Sequence, residues 1–180
     1  MILTYKQCME KYRNDYLLKK EIAEGRIFQK EKGIYSSNKS CMELEIISAK
    51  YPRAVFTGES AFYYHSLTDV ISDYYYLTTV RTDSRISDER VVQSFFKQDI
   101  FEMGTAKIQY QNTEITIYSL ERMLIELMRF KNKYPFDYYK EIISNYRNKV
   151  EKMDIAKVEE YAYKFRNVEK LLDMIQLEVL

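Results

Sequence analysis

Apolar residues near the start of the chain recur with the period of an α-helix. Four of them follow the i, i+3, i+4, i+7 spacing that places residues on one helix face: Tyr5, Cys8, Met9 and Tyr12. Thr4 is the predicted N-cap, because a threonine hydroxyl can accept a hydrogen bond from a first-turn amide. The pattern therefore predicts a short first helix that buries this stripe.

A second helix is predicted to follow and to end at about Glu24, with Gly25 as its stop signal. Either Asn14 or Asp15 can cap its first turn. At 100° per residue its two faces separate. The apolar face carries Leu18 and Ile22, with Leu17 at its margin. The opposite face carries Tyr16, Lys19, Lys20 and Ala23.

A short hairpin is predicted after this helix. Residues 26–30 read as a strand, residues 31–33 as a tight turn and residues 34–36 as the returning strand, because Gly33 tolerates a positive φ. Two helices followed by a hairpin are typical of a winged helix-turn-helix, whose second helix enters the major groove of DNA. The predicted DNA contacts are Tyr16, Lys19 and Lys20 in the groove, and Arg13, Arg26, Lys30 and Lys32 on phosphates. A helix–hairpin packing unit with solvated lysines is the alternative that the pattern leaves open.

The distribution of charge favours the DNA-binding interpretation. Residues 1–40 contain nine Lys and Arg against five Asp and Glu, a net charge of +4, whereas residues 41–180 contain 19 against 22, a net charge of −3. Such asymmetry in a nearly neutral chain indicates a nucleic-acid-binding arm. The chain is long enough for a small module and a larger domain, and its 46% hydrophobic residues can form a core.

Residues 41–180 are expected to form a larger C-terminal domain, so that the chain as a whole is α+β. Its α/β part spans about 41–131, with strand patterns at 54–57, 74–80, 107–110 and 113–118 and a weaker helix or strand at 88–97. Its helical part spans about 132–180, with helices predicted near 135–149, 154–166 and 168–178. The last of these is expected to pack on the domain, with an exposed dimer helix as the alternative.

Three segments in order give the chain a resemblance to a known family. They are K-G-I-Y at residues 32–35, S-A-F-Y-Y-H-S-L at residues 60–67 and S-L-E-R-M-L-I-E-L at residues 119–127. With the predicted winged helix before them, they resemble the AbiEi family of abortive-infection antitoxins over about residues 3–165. The chain departs from the family pattern at Ser72, Met123 and Glu126, where relatives often carry Pro, Thr and Asp.

The resemblance implies a cytoplasmic bacterial antitoxin of a type IV toxin–antitoxin pair, with no catalytic activity. It would repress its own operon by binding inverted repeats in double-stranded promoter DNA, as a monomer or weak dimer that can act cooperatively. Its C-terminal domain would counteract a nucleotidyltransferase-like toxin without necessarily forming a complex with it. An antitoxin that acts by protein–protein interaction alone is the alternative, and a degenerate nucleotidyltransferase is a third possibility.

The nucleotidyltransferase alternative depends on a weak motif. Such an enzyme needs a Gly-Ser turn for the triphosphate and carboxylates that hold two metal ions. The nearest match is Gly58 and Ser60 with Asp69 and Asp73, but the Gly and Ser are not adjacent. His65 is the single histidine and is interpreted as a hydrogen-bonded packing residue, and no catalytic, metal or cofactor site is predicted.

Other candidate features have ordinary structural interpretations. Tyr74–Tyr76 could form a stacking platform for single-stranded nucleic acid, but alternating strand tyrosines are favoured. Three arginines lie in a mixed-charge loop that could contact nucleic acid or a toxin: Arg81, Arg85 and Arg90. Arg122 and Glu126 are predicted to form a surface or half-buried ion pair. The isolated Cys8 and Cys41 indicate reduced thiols, and no signal peptide or membrane span is expected.

Overall fold

The structure is a computed structural model that describes all residues from Met1 to Leu180. The chain divides into two compact units, Met1–Arg53 and Ala54–Leu180. Nine α-helices and two β-sheets make up these units, which confirms the mixed α and β composition predicted from the sequence. No helix is both long enough and apolar enough to cross a membrane.

The first unit contains three helices and a three-stranded antiparallel sheet of order β1-β3-β2. Its elements in chain order are β1 (Ile2–Thr4), α1 (Tyr5–Tyr12), α2 (Asp15–Ala23), β2 (Phe28–Glu31), β3 (Ile34–Ser36) and α3 (Glu43–Lys50). Strand β1, which the sequence did not predict, pairs with β3 and aligns Leu3 with Tyr35.

Side-chain caps explain where the first two helices begin. The Thr4 hydroxyl accepts from the Gln7 amide at 3.4 Å, and the Gln7 side chain accepts from the Thr4 amide at 2.8 Å, so two first-turn donors are satisfied. The Asn14 side chain accepts from the Leu17 amide at 2.9 Å, which identifies Asn14 as the cap of α2. Both helix starts agree with the sequence prediction.

A small core holds the first unit together. It consists of five buried residues from α1, α2, the sheet and the segment just before β2: Leu3, Cys8, Leu18, Ile27 and Tyr35. The predicted stripe of α1 is therefore correct at Cys8, with Met9 and Tyr12 packed at its edge. Tyr5 is an exception, because it is 42% exposed and its hydroxyl donates to the Asp15 carboxylate at 2.8 Å.

The hairpin formed by β2 and β3 turns where the sequence predicted. Gly33 has a φ of +80°, a conformation that glycine adopts without a Cβ clash. Helix α3 packs against β1 and β3. It therefore belongs with the first unit, which extends to Arg53, beyond the domain boundary predicted after residue 40.

The second unit is built on a five-stranded sheet of order β6-β5-β4-β8-β7. Its strands are β4 (Val55–Phe56), β5 (Tyr75–Val80), β6 (Val91–Phe96), β7 (Thr105–Tyr110) and β8 (Thr113–Tyr118). The pairs β5–β6 and β4–β8 are parallel, whereas β4–β5 and β7–β8 are antiparallel. The uncertain segment around residues 88–97 is thus a strand, and the predicted hairpin at 107–118 is confirmed.

Six helices complete the second unit. They are α4 (Gly58–Tyr64), α5 (Gln98–Glu102), α6 (Leu120–Arg129), α7 (Phe136–Arg147), α8 (Ile155–Ala162) and α9 (Val168–Glu178). Helix α6 is central, because every side chain from Arg122 to Met128 is buried. Ser119 caps it by accepting from the Arg122 amide at 3.4 Å, as its position in the sequence predicted.

Candidate nucleic-acid interface

The outward face of α2 carries the side chains predicted to read DNA. Tyr16 is 75% exposed, and Lys19 and Lys20 are also exposed, whereas Leu18 on the opposite face is 3% exposed. Burial of Leu18 anchors the helix and fixes which side faces solvent. The division of faces predicted from the helical period is therefore present in the structure.

Two of the exposed residues on this face are free to meet a ligand. No hydrogen bond or ion pair engages the side chains of Tyr16 and Lys19. Lys20 lies 4.0 Å from the Glu24 carboxylate across one helical turn, an exposed pair that contributes little. The α2 face thus offers an aromatic ring and two lysine charges to solvent.

Arg13 lies between the two helices rather than within one. It is the C-cap of α1, with a left-handed φ of 69°, and its side chain is exposed. Its amide donates to the Met9 carbonyl at 2.8 Å, which ends the helix. This turn holds the guanidinium just before the start of α2, where a DNA backbone beside a recognition helix would run.

Arg26 is engaged within the unit. Its Nε donates to Glu21 Oε2 at 2.8 Å and its Nη2 donates to Glu21 Oε1 at 2.7 Å, and Nη2 also pairs with Glu24. The hydrogen bond from Arg26 lowers the pKa of the Glu21 carboxyl. Because two carboxylates offset its charge, Arg26 would have to leave them before it could bind a phosphate.

The two lysines of the hairpin differ in their freedom. The Lys30 ammonium donates to the Lys39 carbonyl at 2.6 Å and lies 5.7 Å from the centre of the Phe28 ring, so it is half-buried. Lys32 occupies the turn and is exposed with no partner. Of the two hairpin lysines, Lys32 is therefore the one that is both exposed and free of a protein partner.

The nucleotidyltransferase alternative named Asp69 and Asp73 as its carboxylates. Asp69 and Asp73 are both exposed, and no three His, Cys, Asp or Glu side chains lie close enough to hold a metal ion together. His65 packs as predicted. Its Nε2–H donates to the Tyr118 carbonyl at 2.7 Å, and burial lowers the pKa of its imidazole.

The Arg122–Glu126 pair corrects the sequence prediction. The two side chains are 0% and 5% exposed and their charged atoms are 2.6 Å apart, so the pair is buried and not at the surface. The guanidinium lies 4.9–5.0 Å from the centres of three rings: Phe96, Tyr118 and Phe165. Its Nε and Nη1 have no hydrogen-bond acceptor. Burial lowers the pKa of Arg122 and raises that of Glu126.

The remaining candidates have local partners or partial burial. Arg90 donates to Asp88 at 2.8–2.9 Å, whereas Arg81 and Arg85 are exposed. Tyr74 is exposed, and Tyr75 and Tyr76 are half-buried on β5. Both cysteines are free thiols, and burial raises the pKa of Cys8.

Sequence reasoning missed a cleft in the second unit that is lined by basic side chains. We call it the basic cleft, and its charged lining residues are Arg81, Lys97, Arg129, Lys131, Lys164, Arg166 and Lys170. The cluster of three cations between residues 164 and 170 is the local signal that could have pointed to it. The other four come from distant parts of the sequence and meet only in the folded chain.

Comparison of the chain with protein-family models and with curated proteins found no match to either.

Proposed function

We propose that the first unit binds double-stranded DNA as a winged helix-turn-helix, with α2 in the major groove. The observation that supports this proposal is the outward face of α2. Tyr16 and Lys19 are exposed there without partners, on the opposite side of the helix from the buried Leu18. A recognition helix needs apolar anchoring on one side and free donors on the other. The two-stranded hairpin that follows α2 supplies the wing.

The proposed DNA contacts fall into two groups, according to whether the side chain already has a partner within the protein. Tyr16, Lys19 and Lys20 face the groove, while Arg13 and Lys32 reach phosphates from positions where they are already exposed. Lys30 and Arg26 bind phosphate only after they give up the Lys39 carbonyl and the Glu21 and Glu24 carboxylates, respectively. We therefore expect Lys30 and Arg26 to contribute less to affinity than Lys32.

The biological role that fits this binding is autorepression by an antitoxin. It rests on the resemblance to the AbiEi antitoxins carried by residues 32–35, 60–67 and 119–127. The protein would act in the bacterial cytoplasm, repress its operon at inverted repeats and counteract a nucleotidyltransferase-like toxin through its second unit. It would bind each repeat as a monomer or weak dimer, because pseudo-palindromic sites accept two copies of one domain.

Fluorescence anisotropy tests the DNA proposal directly. The full chain is titrated against its own upstream DNA and against a scrambled duplex at two salt concentrations. We expect preference for the upstream DNA and an affinity that falls steeply with salt, because counterions are released from phosphates. Lys32→Ala should weaken binding to both duplexes and reduce the salt slope by about one. Lys19→Ala should also reduce discrimination between the two.

The matched control is Lys152→Ala, which removes an exposed lysine from the second unit and changes the net charge by the same amount. It should leave the affinity and the salt slope unchanged. If Lys19→Ala and Lys32→Ala behave like this control, the α2 and wing assignment is wrong. Equal weak binding to both duplexes, together with co-purification of a toxin, would favour an antitoxin that acts by protein contact alone.

A further inference from the structure

The basic cleft of the second unit plays no part in the DNA binding proposed for the first unit. Its volume is about 950 Å³, near the upper end of the range for small-molecule sites. Seven of its lining residues are Lys or Arg, and none is Asp or Glu. A concave surface of one sign concentrates the field and favours counter-ions of the opposite sign.

One wall of the cleft lies at the carboxyl ends of two parallel strands. Arg81 directly follows β5 and Lys97 directly follows β6, and the Arg81 amide donates to the Phe96 carbonyl at 2.8 Å. Parallel pairing of Val80 with Phe96 puts both cations at the same edge of the sheet. In open α/β sheets, ligands commonly bind in the crevice outside the carboxyl ends of parallel strands.

A second part of the lining comes from the connection between α8 and α9. Lys164 and Arg166 lie in this connection, and Lys170 lies in the first turn of α9. Asn167, the N-cap of α9, also lines the cleft and makes no side-chain capping bond. Free first-turn amides add donors for an anion to those of the three side chains.

Most of this positive charge is not neutralised within the protein. Arg129 donates to Glu126 at 3.1 Å, and Lys131 pairs with Glu178 at 2.6 Å. The other five cations are exposed and make no ion pair: Arg81, Lys97, Lys164, Arg166 and Lys170. Like charges held around one cavity repel each other, and a polyanion bound between them would relieve that repulsion.

We propose that the basic cleft binds a small molecule that carries a chain of phosphates, either a nucleoside triphosphate or inorganic polyphosphate. Several phosphates in a row can pair with several separate cations around one cavity, which a single anion cannot do. The Phe165 ring in the cleft is covered by the Arg129 guanidinium, 3.9 Å from its centre. Because this ring is occupied, recognition depends on the phosphates, and we expect little discrimination between bases.

Isothermal titration calorimetry on the full chain tests the proposal. The probes are tripolyphosphate, ATP, GTP, adenosine and sulfate. We expect binding of tripolyphosphate and both nucleotides, no binding of adenosine and much weaker binding of sulfate. Tighter binding of ATP and GTP than of tripolyphosphate would identify a nucleotide as the ligand, and the reverse order would identify inorganic polyphosphate.

Variants locate the site. Arg166→Ala and Lys170→Ala should each weaken tripolyphosphate binding about tenfold, because each removes a charge-assisted hydrogen bond. Lys152→Ala, outside the cleft, should leave binding unchanged. The proposal is overturned if no probe binds, if sulfate binds as well as tripolyphosphate, or if all three variants behave alike. It is also overturned if Lys19→Ala and Lys32→Ala abolish binding, since the anion would then occupy the first unit. If the cleft binds a single-stranded oligonucleotide more tightly than tripolyphosphate, the proposal of a small phosphate-chain ligand is likewise overturned.

Discussion

Burial of the Arg122–Glu126 pair leads to a specific prediction about stability. Separating a buried ion pair by removing one partner costs about 3–5 kcal/mol, because the remaining charge loses its counter-ion in a poorly solvated site. We therefore expect Glu126→Leu to destabilise the second unit by about 4 kcal/mol, since Arg122 has no other acceptor. Arg122→Met should cost about 3 kcal/mol, because Glu126 keeps its contacts with Arg129.

The double variant separates this reasoning from simple loss of packing. Met and Leu approximate the volumes of the two side chains and need no solvation, so Arg122→Met with Glu126→Leu should cost no more than either single change. The coupling between the two changes should therefore be about 4 kcal/mol. Urea denaturation followed by far-UV circular dichroism and tyrosine fluorescence measures it, because the chain has 18 Tyr and no Trp.

A matched exposed pair is the control. Lys107 and Glu114 are 2.7 Å apart, nearly the separation of the buried pair, but their side chains are 67% and 59% exposed. Their coupling in the same kind of double-mutant cycle should stay below about 1 kcal/mol, because solvent screens them. The reasoning fails if the effects of the Arg122 and Glu126 changes on stability are additive. It also fails if their coupling is no larger than that of Lys107 and Glu114, because burial would then not determine the loss of stability.

Three further changes test other parts of the structure. Gly104→Ala should destabilise by about 2–4 kcal/mol in urea unfolding, because φ is +71° and the new Cβ would lie 2.6 Å from Arg122 Cβ. Asn14→Ala should cost about 1 kcal/mol in the same assay, since α2 loses its cap. His65→Gln should remove a pH dependence. The folded-state pKa of His65 is lowered, so the unfolded chain binds its proton first, and the wild type alone should lose stability as pH falls below about 6.5.

Local chemistry explains why the helix caps, the hairpin turn and the faces of α2 in the first unit were predicted correctly. The caps at Thr4 and Asn14 and the turn at Gly33 depend on residues within three positions along the chain. Helical periodicity likewise places Tyr16 and Leu18 on opposite faces of α2 without information from distant residues. These features were confirmed because the interactions that produce them are encoded in short windows of sequence.

Long-range pairing explains what the sequence did not reveal. Strand β1 has three residues and is defined by its register with residues 34–36, which no local pattern indicates. The assignment of α3 to the first unit depends on its packing against β1 and β3 for the same reason. Residues 2–4 form a strand because they pair with β3, and that pairing is set by the folded chain.

The Arg122–Glu126 pair was misjudged for a different physical reason. Opposite charges four residues apart usually lie on a solvated helix face, and the spacing contains no information about what covers that face. Here the rings of Phe96, Tyr118 and Phe165 surround the guanidinium, and they come from β6, β8 and the connection between α8 and α9. Burial of the Arg122 charge thus depends on tertiary contacts, which cannot be predicted from the sequence of α6 alone.

The charge asymmetry used to locate the DNA-binding arm has a similar limit. The first unit carries eleven Lys and Arg against seven Asp and Glu, a net charge of +4, and the second carries 17 against 20, a net charge of −3. Yet the second unit, although acidic as a whole, gathers seven cations around one cleft. Salt-dependent binding of a nucleic acid by the full chain could therefore arise from either unit. Comparing the Lys19 and Lys32 variants with the Arg166 and Lys170 variants shows which unit is responsible for the salt-dependent binding. Each pair of changes alters one basic surface and leaves the other intact.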